Sequence, residues 1–301
     1  AYGGPEVTGT LSKAAAEASG LPAGIPVVAG GGDQAANGVG CGIVKKGIVS
    51  ASLGTSGVVF AHADQVAMDP EGRVHTFCHS VPGKWHIMGV MLSAGGALRW
   101  YRDALCGEER AQAKETGRDA YEFITGTAAD VPLGAEGLMF LPYLTGERTP
   151  HKDPDAKGAF IGLSLRHTKA HMARAVLEGV AYGMRDSCDI IRDMGVPVTD
   201  VRCSGGGARS PFWREVMADV CNAPMALINV DEGPAYGAAI LAGVGAGMYH
   251  NVEQACAELI HETSRIAPNE RHVPQYDRWF REWQAAYKVL APGFKRAASL
   301  L

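Results

Sequence analysis

The sequence predicts an α/β fold, and three observations carry that prediction. Apolar runs of strand length alternate along the chain with segments of helical period. Glycine is abundant, 39 of 301 residues. It clusters just past the strand-like runs, at the sheet edge where α/β proteins bind ligands. Finally, 47% hydrophobic residues over 301 positions suffice for one large or two modest cores.

Taken in order, Thr10 reads as the cap of a short helix through Ala18, ended by Gly20 and kept from resuming by Pro22. Ile25 to Ala29 is a short buried strand running into Gly30-Gly31-Gly32-Asp33, with a helix beginning at Gln34. Asp33 therefore falls where a strand end meets a helix N-terminus. Gly47–Leu53 and Val58–Phe60 form a hairpin around Gly54-Thr55-Ser56-Gly57. Trp85–Met91 is a strand, followed by Ser93-Ala94-Gly95-Gly96 and a helix carrying Leu98, Trp100 and Tyr101. Residues 103–136 are polar, rich in alanine and helical in character. A strand from Gly137 to Leu141 stops at Pro142, and residues 142–158 make a long polar loop, a class that often carries function.

Thr168 caps the longest helix, to about Met194, with an apolar face of Met172, Val176, Val180, Gly183, Ile190 and Met194. Asp200 to Cys203 is a strand and Ser204 to Ala208 a tight turn. Ser210 caps a helix with Pro211 in its first turn, closed by Pro224. Met225–Val230 is a strand, and Gly233 opens a small-residue helix to Gly247. Tyr276–Leu300 reads as one or two amphipathic helices, whose Trp279, Trp283 and Tyr287 belong to core or hinge packing.

Composition excludes several function classes. The net charge of −4 gives no sign of a nucleic-acid or anionic-membrane partner. No apolar run reaches the roughly 18–20 residues of a membrane span. Ala1 to Pro5 has neither a basic nor an apolar leader region, so no signal peptide is expected. Cys41, Cys78, Cys106, Cys188, Cys203, Cys221 and Cys256 are scattered, odd in number and form no CxxC. They read as buried thiols of a reducing cytoplasm.

Three glycine-rich units follow strands: 30–33, 53–57 and 204–207. Such turns bring backbone N–H groups close to phosphate oxygens, and they also serve as plain structural turns. There is no GxxxxGK[ST], and no GxGxxG at the right place before a helix, so neither a P-loop nor a dinucleotide fingerprint is present. Asp33 suits a general base for a hydroxyl proton, a water-mediated magnesium contact, or a helix cap. His151, Asp153 and Asp155 alternate in one loop, but a salt-bridged turn around Glu147, Arg148 and Lys152 accounts for them better than a metal site.

Longer motifs then assemble. Gly158-Ala159-Phe160-Ile161-Gly162-Leu163 is followed, seven residues on, by His171-Met172 and then Ala175-Val176-Leu177-Glu178. Phe140–Pro154 reads FLPYLTGERTPHKDP, Met91–Asp103 reads MLSAGGALRWYRD, and Gly32-Asp33-Gln34-Ala35-Ala36 precedes both. On these residues, from about Gly20 to Tyr249, the chain resembles the FGGY carbohydrate kinases, most closely their xylulokinase branch.

The resemblance implies two actin-like, ribonuclease-H-like domains around a cleft, with ATP on the second and sugar mainly against the first. It implies that Gly54, Thr55, Ser56 and Gly57 belong to the second phosphate hairpin. It likewise implies that Gly95 and Arg99 lie near the nucleotide phosphates, that Gly205, Gly206 and Gly207 form the adenosine motif, and that Ser210 contacts adenine. By the same resemblance Gly233–Gly243 is expected to be the second interdomain connector. Asp33 is expected to be the catalytic base, with Gln34 beside it at the sugar. ATP, Mg²⁺ and the 5-hydroxyl of D-xylulose are the expected reactants, with glycerol, gluconate or ribulose as the rival acceptors. A nucleotide-binding unit without catalysis of its own is the reading from another class, and a polymerising actin-like protein gains no support.

The family's first phosphate hairpin, an acidic DxGT-type motif, has no counterpart in this sequence. Residues 1–42 are therefore expected to be the tail of a first, sugar-binding domain, and residues 43–301 the second, nucleotide-binding one. The rest of the first domain would come from a longer chain or a partner, as for a proteolytic product or a split gene. Residues 1–42 are expected to be mobile, misplaced, or buried against another copy in a homodimer.

Overall fold

The computed structural model describes residues 2–300; Ala1 and Leu301 lie outside the described residues. Two short strands, β1 (Val7–Thr10) and β2 (Pro26–Val28), flank α1 (Lys13–Ser19), and α2 (Asp33–Gly40) follows. Next come β3 (Gly47–Leu53), β4 (Gly57–Ala63), β5 (His75–Cys78) and β6 (Trp85–Met91). Helices α3 (Gly95–Leu105), α4 (Gly107–Thr116) and α5 (Ala120–Ala129) lead to β7 (Met139–Leu141) and β8 (Ala159–Ile161). The long α6 (Lys169–Asp193) precedes β9 (Val198–Ser204), α7 (Pro211–Cys221), β10 (Met225–Ile228) and α8 (Gly233–Gly245). Then follow α9 (Val252–Leu259), β11 (Glu262–Ile266) and α10 (Val273–Ala298).

The central sheet has seven strands in the order β11-β10-β9-β3-β4-β6-β5. β9 pairs in parallel with both β3 and β10, and the other pairings are antiparallel. Both faces are covered, which β4 shows directly. Side chains alternate across a strand, so Val59 and Ala61 face one layer while Phe60 and His62 face the other; all four are buried. The first layer holds α3, α5, α6, α7 and α10 over Val49, Ala51, Leu53 and Met91. The second holds α2, α8 and α9, through Val39, Ile240, Leu241 and Val252.

α6 is the axis of the larger layer. It carries the expected apolar stripe, yet it is buried nearly all round, and Arg174, Glu178 and Asp186 are buried with it. A charge inside a core needs partners. Arg174 Nε donates to Glu178 Oε1 at 2.7 Å and its Nη2 to the Tyr276 hydroxyl at 2.7 Å. Tyr276 and the Gly134 amide both donate to Glu178, each at 3.0 Å. This cluster ties α6 to α10, whose Trp283 and Tyr287 are buried and whose Trp279 packs half-buried against the core, as expected; Tyr276 and Phe280 are buried with them.

Several elements differ from expectation. Thr10 ends β1 rather than capping α1; the cap is Ser12, whose hydroxyl accepts the Ala15 amide at 3.2 Å. The C-terminal segment is one helix despite Pro292. Strands β5, β8 and β11 and helix α9 fall in stretches whose weak patterns had not marked them. Cys78 is exposed, while the other six cysteines are buried, free thiols.

The N-terminal region splits in two. Among the described residues β1 and β2 pair only with each other, and Val7 and Val27 are exposed, so the 25–29 strand is not the buried one expected: no third strand extends its two-stranded sheet. By contrast, α2 corrects the expectation of an unseated segment. Its Ala35, Ala36 and Val39 are buried, and it packs so tightly on α8 that a β-carbon on Gly237 would fall 1.9 Å from the Ala36 carbonyl oxygen. No helix among the described residues is long and apolar enough to cross a membrane.

Candidate active site

Three strands deliver glycine turns to one edge of the sheet. β3 and β9 are parallel neighbours, paired as far as Ser52 and Ser204, so the turns that follow them emerge side by side. β6 runs antiparallel to β4, which runs antiparallel to β3, so β6 also ends there, with Met91 opposite Gly57. The C-terminal edge of such a sheet is where ligands bind in this fold class.

The turns interlock through their backbones. The amides of Ala94, Gly95 and Gly96 donate to Thr55 O, Gly54 O and Thr55 O at 2.9, 2.8 and 3.0 Å. A β-carbon on Gly95 would stand 2.5 Å from Gly54 O, and one on Gly205 would stand 2.8 Å from the Leu53 carbonyl. Gly205 also has φ of 83°, a conformation that other residues rarely adopt. Gly206 has open space above it. The amides of Thr55 and Ser56 find no acceptor among the described residues. The result is a shallow cradle of close-set backbone with unspent N–H groups, a form that suits phosphate oxygens.

Side chains at the cradle's rim are few. Arg99 lies one turn along α3, exposed and without an ion-pair partner among the described residues. Arg209 closes the 206–209 turn and is also exposed; no local motif in the sequence marks it. Ser210 belongs to the same turn, its amide donating to Gly207 O at 3.3 Å, while its hydroxyl accepts the Trp213 amide at 3.2 Å as the cap of α7. The hydroxyl thus has a structural task, whatever else it touches.

Asp33 stands apart on α2. Gly32 is the helix cap, so the Asp33 carboxylate is not spent on capping. It is exposed, and the one hydrogen bond it accepts among the described residues comes from the neighbouring Gln34 amide at 2.8 Å. Gln34 is half-buried beside it. No hydrogen bond joins this pair to the cradle among the described residues.

Beside α2, at Gly38, lies a buried histidine cluster. A β-carbon on Gly38 would clash with the Phe60 ring and lie 3.2 Å from His79 Nε2. The His79 ring centroid is 5.4 Å from His62 and 5.9 Å from His86. His79 accepts the Val81 amide at Nδ1, and its Nε2 donates to Ile43 O at 3.0 Å. Burial pushes His79 down to about 3 and His86 to about 4, so both are neutral near neutrality.

Among the described residues no salt bridge holds the 142–158 loop, which corrects the expected ion-paired turn. Glu147 is 3% exposed and accepts backbone amides instead: Leu92 at 2.9 Å and Arg148 at 2.7 Å. Lys152 donates to the Glu71 carbonyl, and Asp153 accepts the Tyr287 hydroxyl at 2.7 Å. His151 stacks on Tyr287 with ring centroids 3.5 Å apart. Among the described residues no group of three His, Cys, Asp or Glu side chains is placed to hold a metal ion.

Comparison with known proteins agrees with this architecture. Residues 49–246 match the FGGY family of carbohydrate kinases, C-terminal domain. A xylulose kinase of Escherichia coli strain K12 is 41% identical over 98% of this chain and 56% of its own length. A gluconokinase of Bacillus licheniformis is 36% identical over 83% of this chain and 49% of its own. The crystal structure of xylulose kinase from Rhodospirillum rubrum superposes with a TM-score of 0.88 at 35% identity, covering 98% of this chain and 58% of that one. The chain thus spans a little over half the length of the xylulose kinases it matches. Its fold is the actin-like α/β fold of the sugar kinases it superposes on. The match across residues 49–246 and the interlocked glycine turns it contains place the chain in the FGGY family of carbohydrate kinases.

Proposed function

We propose that this chain is the nucleotide-binding part of an ATP-dependent sugar kinase that phosphorylates D-xylulose to D-xylulose 5-phosphate. The observation that carries the reading is the glycine cradle, whose backbone N–H groups suit a nucleotide's phosphates. In this reading Gly54, Thr55 and Ser56 face the phosphates, with Gly95 and Arg99 beside them, and Gly205–Gly207 with Ser210 face the nucleoside. Phosphoryl transfer asks chiefly for positioning and charge neutralisation, which amides and a free guanidinium supply. Asp33 takes the proton of the sugar 5-hydroxyl as its oxygen bonds to the γ-phosphorus and ADP departs. Gln34 lies on the sugar side.

The protein's own donors make no metal cage among the described residues, so Mg²⁺ would be held chiefly by the nucleotide's phosphates and neutralise their charge. Residues 1–42 then belong to a sugar-binding domain and residues 43–301 to the nucleotide domain, with α2 on α8 bridging the two. The remaining sugar contacts come from the part of the relatives that this chain does not span. A cytoplasmic enzyme fits the six buried, free thiols.

The likeness to a gluconokinase supports a second reading, the same chemistry on gluconate. ADP release with Mg-ATP, run with D-xylulose and gluconate in parallel and beside Asp33→Asn, tests both. Turnover with D-xylulose that the variant loses is the expected result for a chain supplied with its sugar domain. Turnover preferring gluconate would overturn the substrate assignment. Turnover that Asp33→Asn keeps would overturn the role of Asp33.

A further inference from the structure

Strand β6 is longer than the edge strand beside it. β5 pairs with it only from Trp85 to Met88, opposite Cys78 to His75. Beyond Met88 the backbone groups of β6 that face that edge have no strand to meet among the described residues, and unpaired backbone groups away from water are costly. Residues of the 142–158 loop take the place of the strand. The Thr149 amide donates to Val90 O at 2.9 Å, and the Val90 amide donates to Thr149 Oγ1 at 3.0 Å. Two residues on, the Leu92 amide donates to Glu147 Oε1. Leu92 is followed directly by Ser93, which shares a hydrogen bond of 3.1 Å with Thr145, and by Ala94 and Gly95, whose amides hold the 54–56 turn.

We propose that Glu147 is a positioning residue for the nucleotide cradle, ordering residues 92–96 through its bond to the Leu92 amide; this rests on the reading of the cradle as a nucleotide site. The loop that carries Glu147 is itself anchored to the core. Glu147 and Asp153 exchange backbone hydrogen bonds at 2.8 Å each, and Asp153 is held by Tyr287 of α10. The connection therefore runs from α10, through the loop, to the end of β6 and on to the turn that faces the phosphates. Glu147 touches no ligand on this account; it acts through Leu92.

The test compares ADP affinity, by titration calorimetry on the full chain, with amide hydrogen exchange at residues 92–96. Three proteins are used: wild type, Glu147→Gln and Glu147→Met. Glutamine keeps an acceptor for the Leu92 amide and methionine removes it at similar volume. The expected result is that Glu147→Met binds ADP at least about tenfold more weakly and exchanges faster at 92–96, while Glu147→Gln stays within about threefold of wild type in both. Where Glu147→Met does not fold, Thr149→Val removes the neighbouring hydroxyl bond and is expected to weaken ADP binding in the same direction. A folded Glu147→Met protein with wild-type ADP affinity and unchanged exchange would overturn the proposal. Wild type that binds no ADP would overturn the nucleotide reading instead, and the exchange data alone would then decide whether Glu147 orders residues 92–96.

Discussion

The amide of Gly95 donates to the carbonyl of Gly54 at 2.8 Å, and a β-carbon on Gly95 would stand only 2.5 Å from that same oxygen. The start of α3 and the tip of the β3–β4 hairpin are therefore in backbone contact, with no room between them. Gly95→Ala must push the two apart, at about 1–3 kcal/mol for an overpacked contact. Because the displaced groups form the cradle, ADP affinity is expected to fall by at least about tenfold. Calorimetric titration of ADP beside a denaturant melt separates the two effects; unchanged affinity would mean the contact is structural alone.

The contact between α2 and α8 leads to a different expectation. Gly237 lies against the Ala36 carbonyl with a would-be β-carbon at 1.9 Å, so Gly237→Ala must shift α2 and the Asp33 it carries. Turnover in the complete enzyme should drop, while ADP affinity should stay near wild type, because no hydrogen bond joins α2 or α8 to the cradle among the described residues. Paired kinetic and binding measurements check this. Equal loss of both would show that the two regions move together.

Glu178 is expected to be the most sensitive buried charge. It is 2% exposed and satisfies Arg174, Tyr276 and the Gly134 amide at once. Glu178→Ala would leave Arg174 buried without its counterion, at a cost of about 3–5 kcal/mol. Urea unfolding of the single variant and of Arg174→Met/Glu178→Leu measures it. The double variant should recover most of the loss, and a double variant as unstable as the single one would refute the ion-pair account.

The histidine cluster makes stability depend on pH. Burial lowers His79 to about 3 and His86 to about 4 in the folded state, against about 6.5 when unfolded. Both must stay neutral in the fold, so unfolding takes up protons. Their contribution is complete above about pH 6.5 and is lost as pH falls toward 4, at about 1.4 kcal/mol per pH unit for each histidine. Glu147 and Asp186 work against this. Burial raises each to about 7, so they favour the fold at low pH and lose that contribution as pH rises to 7. Denaturant melts of wild type and His79→Gln between pH 7 and 5 isolate the histidine part. The variant should show the shallower acid loss, and parallel curves would count against the cluster.

Much of this architecture was legible in the sequence where local signals were strong. Ser210 with Pro211, Thr168, and the runs 47–53 and 85–91 marked their elements because caps, proline and β-branched residues act within a few positions. Elements defined by distant partners were not legible. β5 and β11 are strands because β6 and β10 pair with them, and the loop at Glu147 follows β6 because β5 stops short. Glu147 reads from the sequence as part of a salt-bridged turn because nothing local reveals its burial. The glycine turns were legible as turns; that 53–57 and 204–207 meet the 93–96 turn, while 30–33 stands apart, required the strand order.

The most direct test of the central claim is to titrate ADP into the isotopically labelled chain and follow the backbone amides. The largest shifts are expected at Gly54–Ser56, Gly95–Arg99 and Gly205–Ser210. Shifts confined elsewhere, for instance to the open depression of about 520 Å³ lined by Asn229, Asp231, Glu232 and Tyr236, or no shifts at all at saturating ADP, would contradict it.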